Sequence, residues 1–170
     1  MISLYYPLHS ILRSTKDSTM KKIKNIAELR ETKGDVILSD WFEVTQELVN
    51  QFAECTKDYQ WIHIDPERAK KESPFGSAIA HGFYSLSLLP MFMEQSIHIE
   101  SAKMGVNYGL NKVRYPHHVP VGSKLRCHTT IQNVEDQPSG GVKITWLCSI
   151  EIEGFQKPAC VAEMLSLIFE

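Results

Sequence analysis

The stretch that decides the fold is Ile79-Ala80-His81-Gly82-Phe83-Tyr84-Ser85-Leu86-Ser87-Leu88-Leu89-Pro90-Met91-Phe92-Met93-Glu94-Gln95. Apolar side chains fall on nearly every side of it when it is wound at 3.6 residues per turn, and a helix without a polar face must be covered all round. Pro90 lies inside the stretch and should kink the helix or break it. Too short for a bilayer, which needs about 20 apolar residues, the stretch has to be buried in protein.

The C-terminal half of the chain can supply the cover. Four runs carry strand signals, roughly Ser101–Tyr115, Lys124–Val134, Val142–Glu153 and Lys157–Phe169. Turn residues separate the later ones: Pro120-Val121-Gly122, Pro138-Ser139-Gly140-Gly141 and Glu153-Gly154. Val142, Ile144, Trp146, Cys148, Ile150 and Ile152 alternate with mostly polar neighbours, the period of a strand with one face in the core. A twisted antiparallel sheet wrapped around one central buried helix is the α+β arrangement that satisfies both signals.

Upstream, Asp35–Phe42 reads as extended. Thr45 is placed to cap a helix in which Leu48, Val49, Phe52 and Ala53 share a face, ending near Thr56. Asp58 to Asp65 reads as a loop, and a short helix opens near Pro66, with Ser73-Pro74-Phe75-Gly76 breaking it. Residues 1–19 differ in character from the rest and are expected to be an N-terminal tail. Met20 opens a basic amphipathic stretch, Lys21–Leu29, and a single domain is expected over residues 20–170.

Composition narrows the class. The chain has 170 residues, 43% hydrophobic and 22% charged, with a net charge of −2. That balance suits one globular domain and gives no basic excess for nucleic acid or an anionic membrane surface. No signal peptide is read at the N-terminus. Cys55, Cys127, Cys148 and Cys160 are widely spaced, without CxxC or zinc-like spacing, and read as reduced thiols of a cytoplasmic protein.

Two clusters can carry chemistry. In Asp58-Tyr59-Gln60-Trp61-Ile62-His63-Ile64-Asp65, a carboxylate and an imidazole stand five residues apart, and a compact loop can converge them on one small molecule. Such a pair can divide the labour of base and acid, because environment tunes the two groups apart. The bland reading is a turn aspartate and a satisfied core histidine. In Ile79-Ala80-His81-Gly82, the start of the buried helix offers free amides, and a residue without a side chain lets a carbonyl oxygen approach. Here the bland reading is a glycine kept for close packing.

Asp58-x-x-x-x-His63-x-Asp65, then Phe75-Gly76, then Ile79-Ala80-His81-Gly82 resembles the MaoC-like family of (R)-specific enoyl-CoA hydratases. Gln60-Trp61-Ile62-His63, with the run Asn107-Tyr108-Gly109-Leu110-Asn111-Lys112-Val113-Arg114-Tyr115-Pro116, is similar to the subgroup related to nodulation protein N. The resemblance covers about Thr45 to the C-terminus. It implies a hot-dog fold, a homodimer, and a CoA or acyl-carrier-protein thioester as substrate. Asp58 and His63 would be the catalytic dyad and the Gly82 amide the oxyanion donor, with no metal or redox cofactor. His81, Gln60, Trp61, Asn107 and Tyr108 are candidates for substrate contact, and Lys112, Arg114, Lys124 and Arg126 for CoA phosphates. Lys57 stands where family members usually have glycine, and Pro90 at the expected place of a serine found on the central helix of some hydratases. A hot-dog thioesterase and a non-catalytic thioester-binding module are the alternatives.

Overall fold

A computed structural model describes residues 20–138 and 140–170; the expected tail at 1–19 lies outside the described residues. The sheet is built by the four runs that carry strand signals. They are β5 (Met104–Arg114), β6 (Lys124–Asp136), β7 (Val142–Ile152) and β8 (Cys160–Phe169). Two short strands, β2 (Val36–Leu38) and β3 (Phe42–Glu43), both pair with β6, and the order is β2-β6-β7-β8-β5, antiparallel throughout. Every second residue of β7 from Val142 to Ile152 is buried, as the alternation requires. Trp146 is fully buried, and its indole N–H donates to Ser166 Oγ at 2.7 Å across the β7–β8 pair. The β6–β7 turn needs glycine: Gly141 has φ +74°, and a Cβ there would lie 2.5 Å from the Ile168 carbonyl oxygen.

The central helix departs from the expectation of one element buried all round. Ile79–His81 are extended, with the Ala80 amide donating to the Val119 carbonyl at 2.8 Å. Helix α5 (Gly82–Ser87) comes next, the chain tightens at Leu88, and α6 (Leu89–Ser96) continues. Pro90 causes the break, because it has no N–H to give the carbonyl of Leu86, one turn back. Tyr84, Leu89 and Phe92 join the core, but Phe83 is 70% exposed.

Before the central helix run α2 (Gln46–Thr56), α3 (Trp61–Ile64) and α4 (Pro66–Glu72). Thr45 caps α2 by accepting from the Leu48 amide, and Asp65 caps α4 by accepting from Arg68. The stretch Lys21–Leu29 divides into β1 (Lys21–Ile23) and α1 (Ile26–Glu31), which bury Ile23, Ile26 and Leu29. β1 pairs in parallel with β4 (Ile97–Ile99), a second small sheet. No helix among the described residues is long and apolar enough to cross a membrane. Cys127, Cys148 and Cys160 are buried free thiols, and Cys55 is an exposed one.

Candidate active site

The Asp58–Asp65 segment is only half a loop. α2 ends at Lys57, which adopts the left-handed conformation at φ 63° without being glycine. The reversal presents Asp58, whose Oδ1 accepts from the Gln60 amide at 3.4 Å. One helical turn, α3, then carries His63 inward. The turn is held from both sides: Gln46 Nε2 donates to the His63 carbonyl at 2.7 Å, and the Ile79 amide donates to the Ile62 carbonyl at 3.1 Å.

His63 is 6% exposed. Its Nδ1 lies 2.7 Å from the Ile79 carbonyl oxygen. A carbonyl only accepts, so Nδ1 carries the proton of the neutral ring and Nε2 keeps the lone pair. Burial pushes the His63 pKa below its ordinary value. The Ile79 carbonyl opposes that, His81 adds to it, and the Asp58 carboxylate opposes it. The neutral ring is therefore the favoured form near neutral pH, with one nitrogen available for chemistry.

His81 is the N-cap residue of α5 and is 3% exposed. Its ring stacks on His63 at 3.8 Å between centroids and 28° between planes. Asp58, His63 and His81 each bring one potential ligand atom within 4.8 Å of the others. A shared metal ion is a poor fit. In-plane lone pairs of two nearly parallel rings run side by side, and cannot both meet one ion at about 2.0–2.1 Å unless a ring rotates.

Beside this cluster opens a cleft of about 230 Å³. His63, Gly82, Ser85, Tyr115, His117 and His118 are among its lining residues. As the first residue of α5, Gly82 has an amide with no acceptor inside its own helix. A Cβ at this position would stand 3.3 Å from the Tyr115 ring. The cleft wall thus offers an imidazole and a helix-start amide, and the Asp58 carboxylate belongs to the cluster beside it.

The other sequence candidates lie elsewhere. Gln60 is exposed, and its carbonyl accepts from the His63 amide. Trp61 is half-buried under the Arg68 guanidinium, 4.4 Å from the ring centroid. Asn107 and Tyr108 are exposed on β5, the sheet edge, and neither lines the cleft. Lys57 does not pair with Asp58: its ammonium goes to Glu54 at 2.6 Å. Arg126 pairs with Glu151 at 2.6 Å and stacks on Trp41, and Lys112 lies 3.7 Å from Glu163.

Three cleft residues escaped the sequence reading. Ser85, not the position of Pro90, puts a serine of the central helix at the cleft, and Pro90 is exposed. Its signal was its distance of three residues from Gly82, which places both on one helix face. His117 and His118 lie beyond the end of β5 and stack at 4.3 Å. Burial, then His117, lowers the His118 pKa. The pairing of Ile79 with Pro120 brings their segment to the cleft.

A twisted antiparallel sheet holding a bent central helix, with a polar cluster at the start of that helix, is the hot-dog class. The family model described as MaoC like domain matches residues 28–145. The chain is 48% identical over 147 residues to the 3-hydroxyacyl-thioester dehydratase Z of Mycobacterium tuberculosis, covering 86% of this chain and 97% of that protein. It is 39% identical over 131 residues to nodulation protein N of Rhizobium leguminosarum bv. viciae, covering 76% and 81%. The fold matches the R-hydratase PhaJ1 of Pseudomonas aeruginosa with TM-score 0.69 at 19% identity, covering 87% of this chain and 88% of that one. This chain belongs to the MaoC-like domain family, in the branch that includes nodulation protein N.

Proposed function

We propose that the chain is an enzyme that adds water reversibly across the double bond of a trans-2-enoyl thioester, giving an (R)-3-hydroxyacyl thioester. The observation that carries this reading is the clustering of Asp58 with His63, which shares the cleft wall with Gly82. The name of the 48% identical relative, a 3-hydroxyacyl-thioester dehydratase, supports the same chemistry in the reverse direction.

The steps come from the groups present. Asp58 and the Nε2 lone pair of His63 hold one water against C3 of the substrate. Oxygen bonds to C3 as Nε2 takes a proton from the water, and the π electrons move toward the thioester carbonyl. The Gly82 N–H donates to that oxygen as it gains charge. The imidazolium, stabilised by the Asp58 carboxylate, returns its proton to C2. H and OH have then crossed the double bond, His63 is neutral again, and no metal or redox cofactor is consumed. Dehydration is the same path reversed.

The substrate carrier is CoA or an acyl-carrier protein. A homodimer fits the free edge of the sheet, since β5 leaves Met104, Val106, Tyr108 and Leu110 exposed.

The test is the loss of conjugated-thioester ultraviolet absorbance when the purified chain meets crotonyl-CoA and longer trans-2-enoyl-CoAs. Chiral analysis of the product reads the configuration. Asp58→Asn and His63→Gln should each lose about 10²-fold or more of turnover while staying folded. Near-normal rates in both would remove the dyad. Free thiol released from a saturated acyl-CoA would indicate a thioesterase, and tight binding without turnover at any chain length a binding module.

A further inference from the structure

We infer that His81 is a positioning residue that sets the Asp58 carboxylate and the His63 imidazole against each other. The inference rests on the hydration reading above, and it concerns a residue behind the reacting groups.

Three contacts carry it. The His81 Nε2 lies 3.0 Å from the backbone carbonyl oxygen of Asp58. The carbonyl can only accept, so Nε2–H donates and holds the loop at the residue that bears the carboxylate. One face of the same ring lies against His63 at 3.8 Å, and Phe52 of α2 packs against it at 5.1 Å and 53°. The ring is thus wedged between α2 and α3. The next residue in the chain is Gly82, so one side chain and its neighbour fix the positions of all three groups assigned to the reaction.

His81 is not spent on the ordinary duties of its position. It is the N-cap residue of α5, yet its side chain makes no capping hydrogen bond. It is 3% exposed and is not among the residues that line the cleft. A purely packing residue in this slot would have no need of a donor, and phenylalanine would fill it. Histidine instead costs a buried polar atom: Nδ1 has no hydrogen-bond partner among the described residues.

The arrangement has a signature that packing alone would not produce. The two stacked rings are in opposite tautomers. His63 is protonated on Nδ1 through the Ile79 carbonyl, and His81 on Nε2 through the Asp58 carbonyl.

The experiment combines ¹⁵N-edited spectra of the histidine rings in the full wild-type chain with kinetics of His81→Phe and His81→Gln. Phenylalanine keeps the ring and loses the donor. Glutamine keeps an N–H near the place of Nε2 and loses the ring. The expected result is opposite tautomers in the wild type. His81→Phe should lose about 10- to 100-fold in kcat, the scale set by a misplacement of about 1 Å at a reacting group. Its KM should stay within about threefold, and glutamine should recover most of the rate. An Nδ1–H tautomer for His81, a wild-type kcat in His81→Phe, or a loss confined to KM would each overturn the inference. A wild type without hydration activity would instead overturn the proposed function, while the tautomers still decide whether His81 holds the Asp58 loop.

Discussion

Replacing Gly82 by alanine separates close approach from packing, the two reasons for a glycine at the head of the central helix. The backbone at Gly82 is not in the positive-φ region, so alanine meets no conformational penalty there. A helical alanine is better than glycine by up to about 1 kcal/mol. Against that, the new Cβ would stand 3.3 Å from Cγ and Cδ2 of Tyr115 and 3.4 Å from Cδ1. The ring must yield by a few tenths of an ångström, and Tyr115 is 40% exposed, so it has room to do so. The two effects oppose each other, and the net change in stability should be within about 1 kcal/mol. Activity should not cancel in the same way. The methyl group stands on the cleft wall beside the amide that must come within about 2.7–3.1 Å of the thioester oxygen, where losing one such donor costs about 10²–10³ in rate. Partial obstruction should lower kcat/KM by at least about tenfold. Urea denaturation and enoyl-CoA hydration on the same preparation test this. Full activity at unchanged stability would show that no close approach is needed. Loss of more than about 2 kcal/mol of stability would make the glycine a packing residue, and the reasoning would fail.

Burial lowers the His63 pKa, so the acid limb of kcat/KM against pH should fall below the ordinary histidine value of about 6.5. The same shift has a stability consequence. The unfolded chain takes up this proton first as pH drops, so the contribution of neutral His63 is complete above about pH 6.5 and is lost as pH falls through the lower folded value. Urea denaturation of His63→Gln and wild type across pH 5 to 8 should show a shallower slope for the variant, and parallel curves would contradict it. In the core, Trp146→Phe removes the donor to Ser166 Oγ and leaves a void. It should cost about 2 kcal/mol or more, read from thermal unfolding, and a change under about 0.5 kcal/mol would show that the buried pair is not held.

The long strands were legible because Val142–Ile152 and Lys124–Ile131 bury alternate residues, a pattern that survives without knowledge of the neighbours. The cap at Thr45 and the break near Pro90 were legible for the same reason, being local chemistry. Pairing of β1 with β4 was not. Each strand has three residues, and Lys21 meets Ile97 only after the rest of the chain has folded. The single turn of α3 is likewise too short for periodicity to mark. Phe83 shows another limit: hydrophobicity put it in the core, yet in the single chain it is exposed, its ring 6.3 Å from that of Tyr115. At the site, Asp58, His63 and Gly82 were within reach because they lie in two short motifs. His117 and His118 were not, since nothing near them in sequence says that Pro120 will pair with Ile79. The stacking of His81 on His63 belongs to the same class of fact, visible only once two distant segments share a wall.

The reversal at Lys57 has a consequence for the conditions under which the site is well ordered. A non-glycine residue in the left-handed region costs roughly 1–2 kcal/mol, and this one is tied by its side chain to Glu54, whose other oxygen accepts from the Tyr59 hydroxyl at 2.6 Å. Lys57, then Tyr59, hold the Glu54 carboxyl below its ordinary value, and the whole trio is exposed to solvent. Exposed ion pairs fade as the Debye length shrinks from about 10 Å at 0.1 M salt to about 3 Å at 1 M. His63 is held by buried backbone bonds that salt does not reach. Concentrated salt should therefore loosen only the side-chain tie behind the left-handed turn, while His81 keeps hold of the Asp58 carbonyl and the Ile79 carbonyl keeps hold of the imidazole.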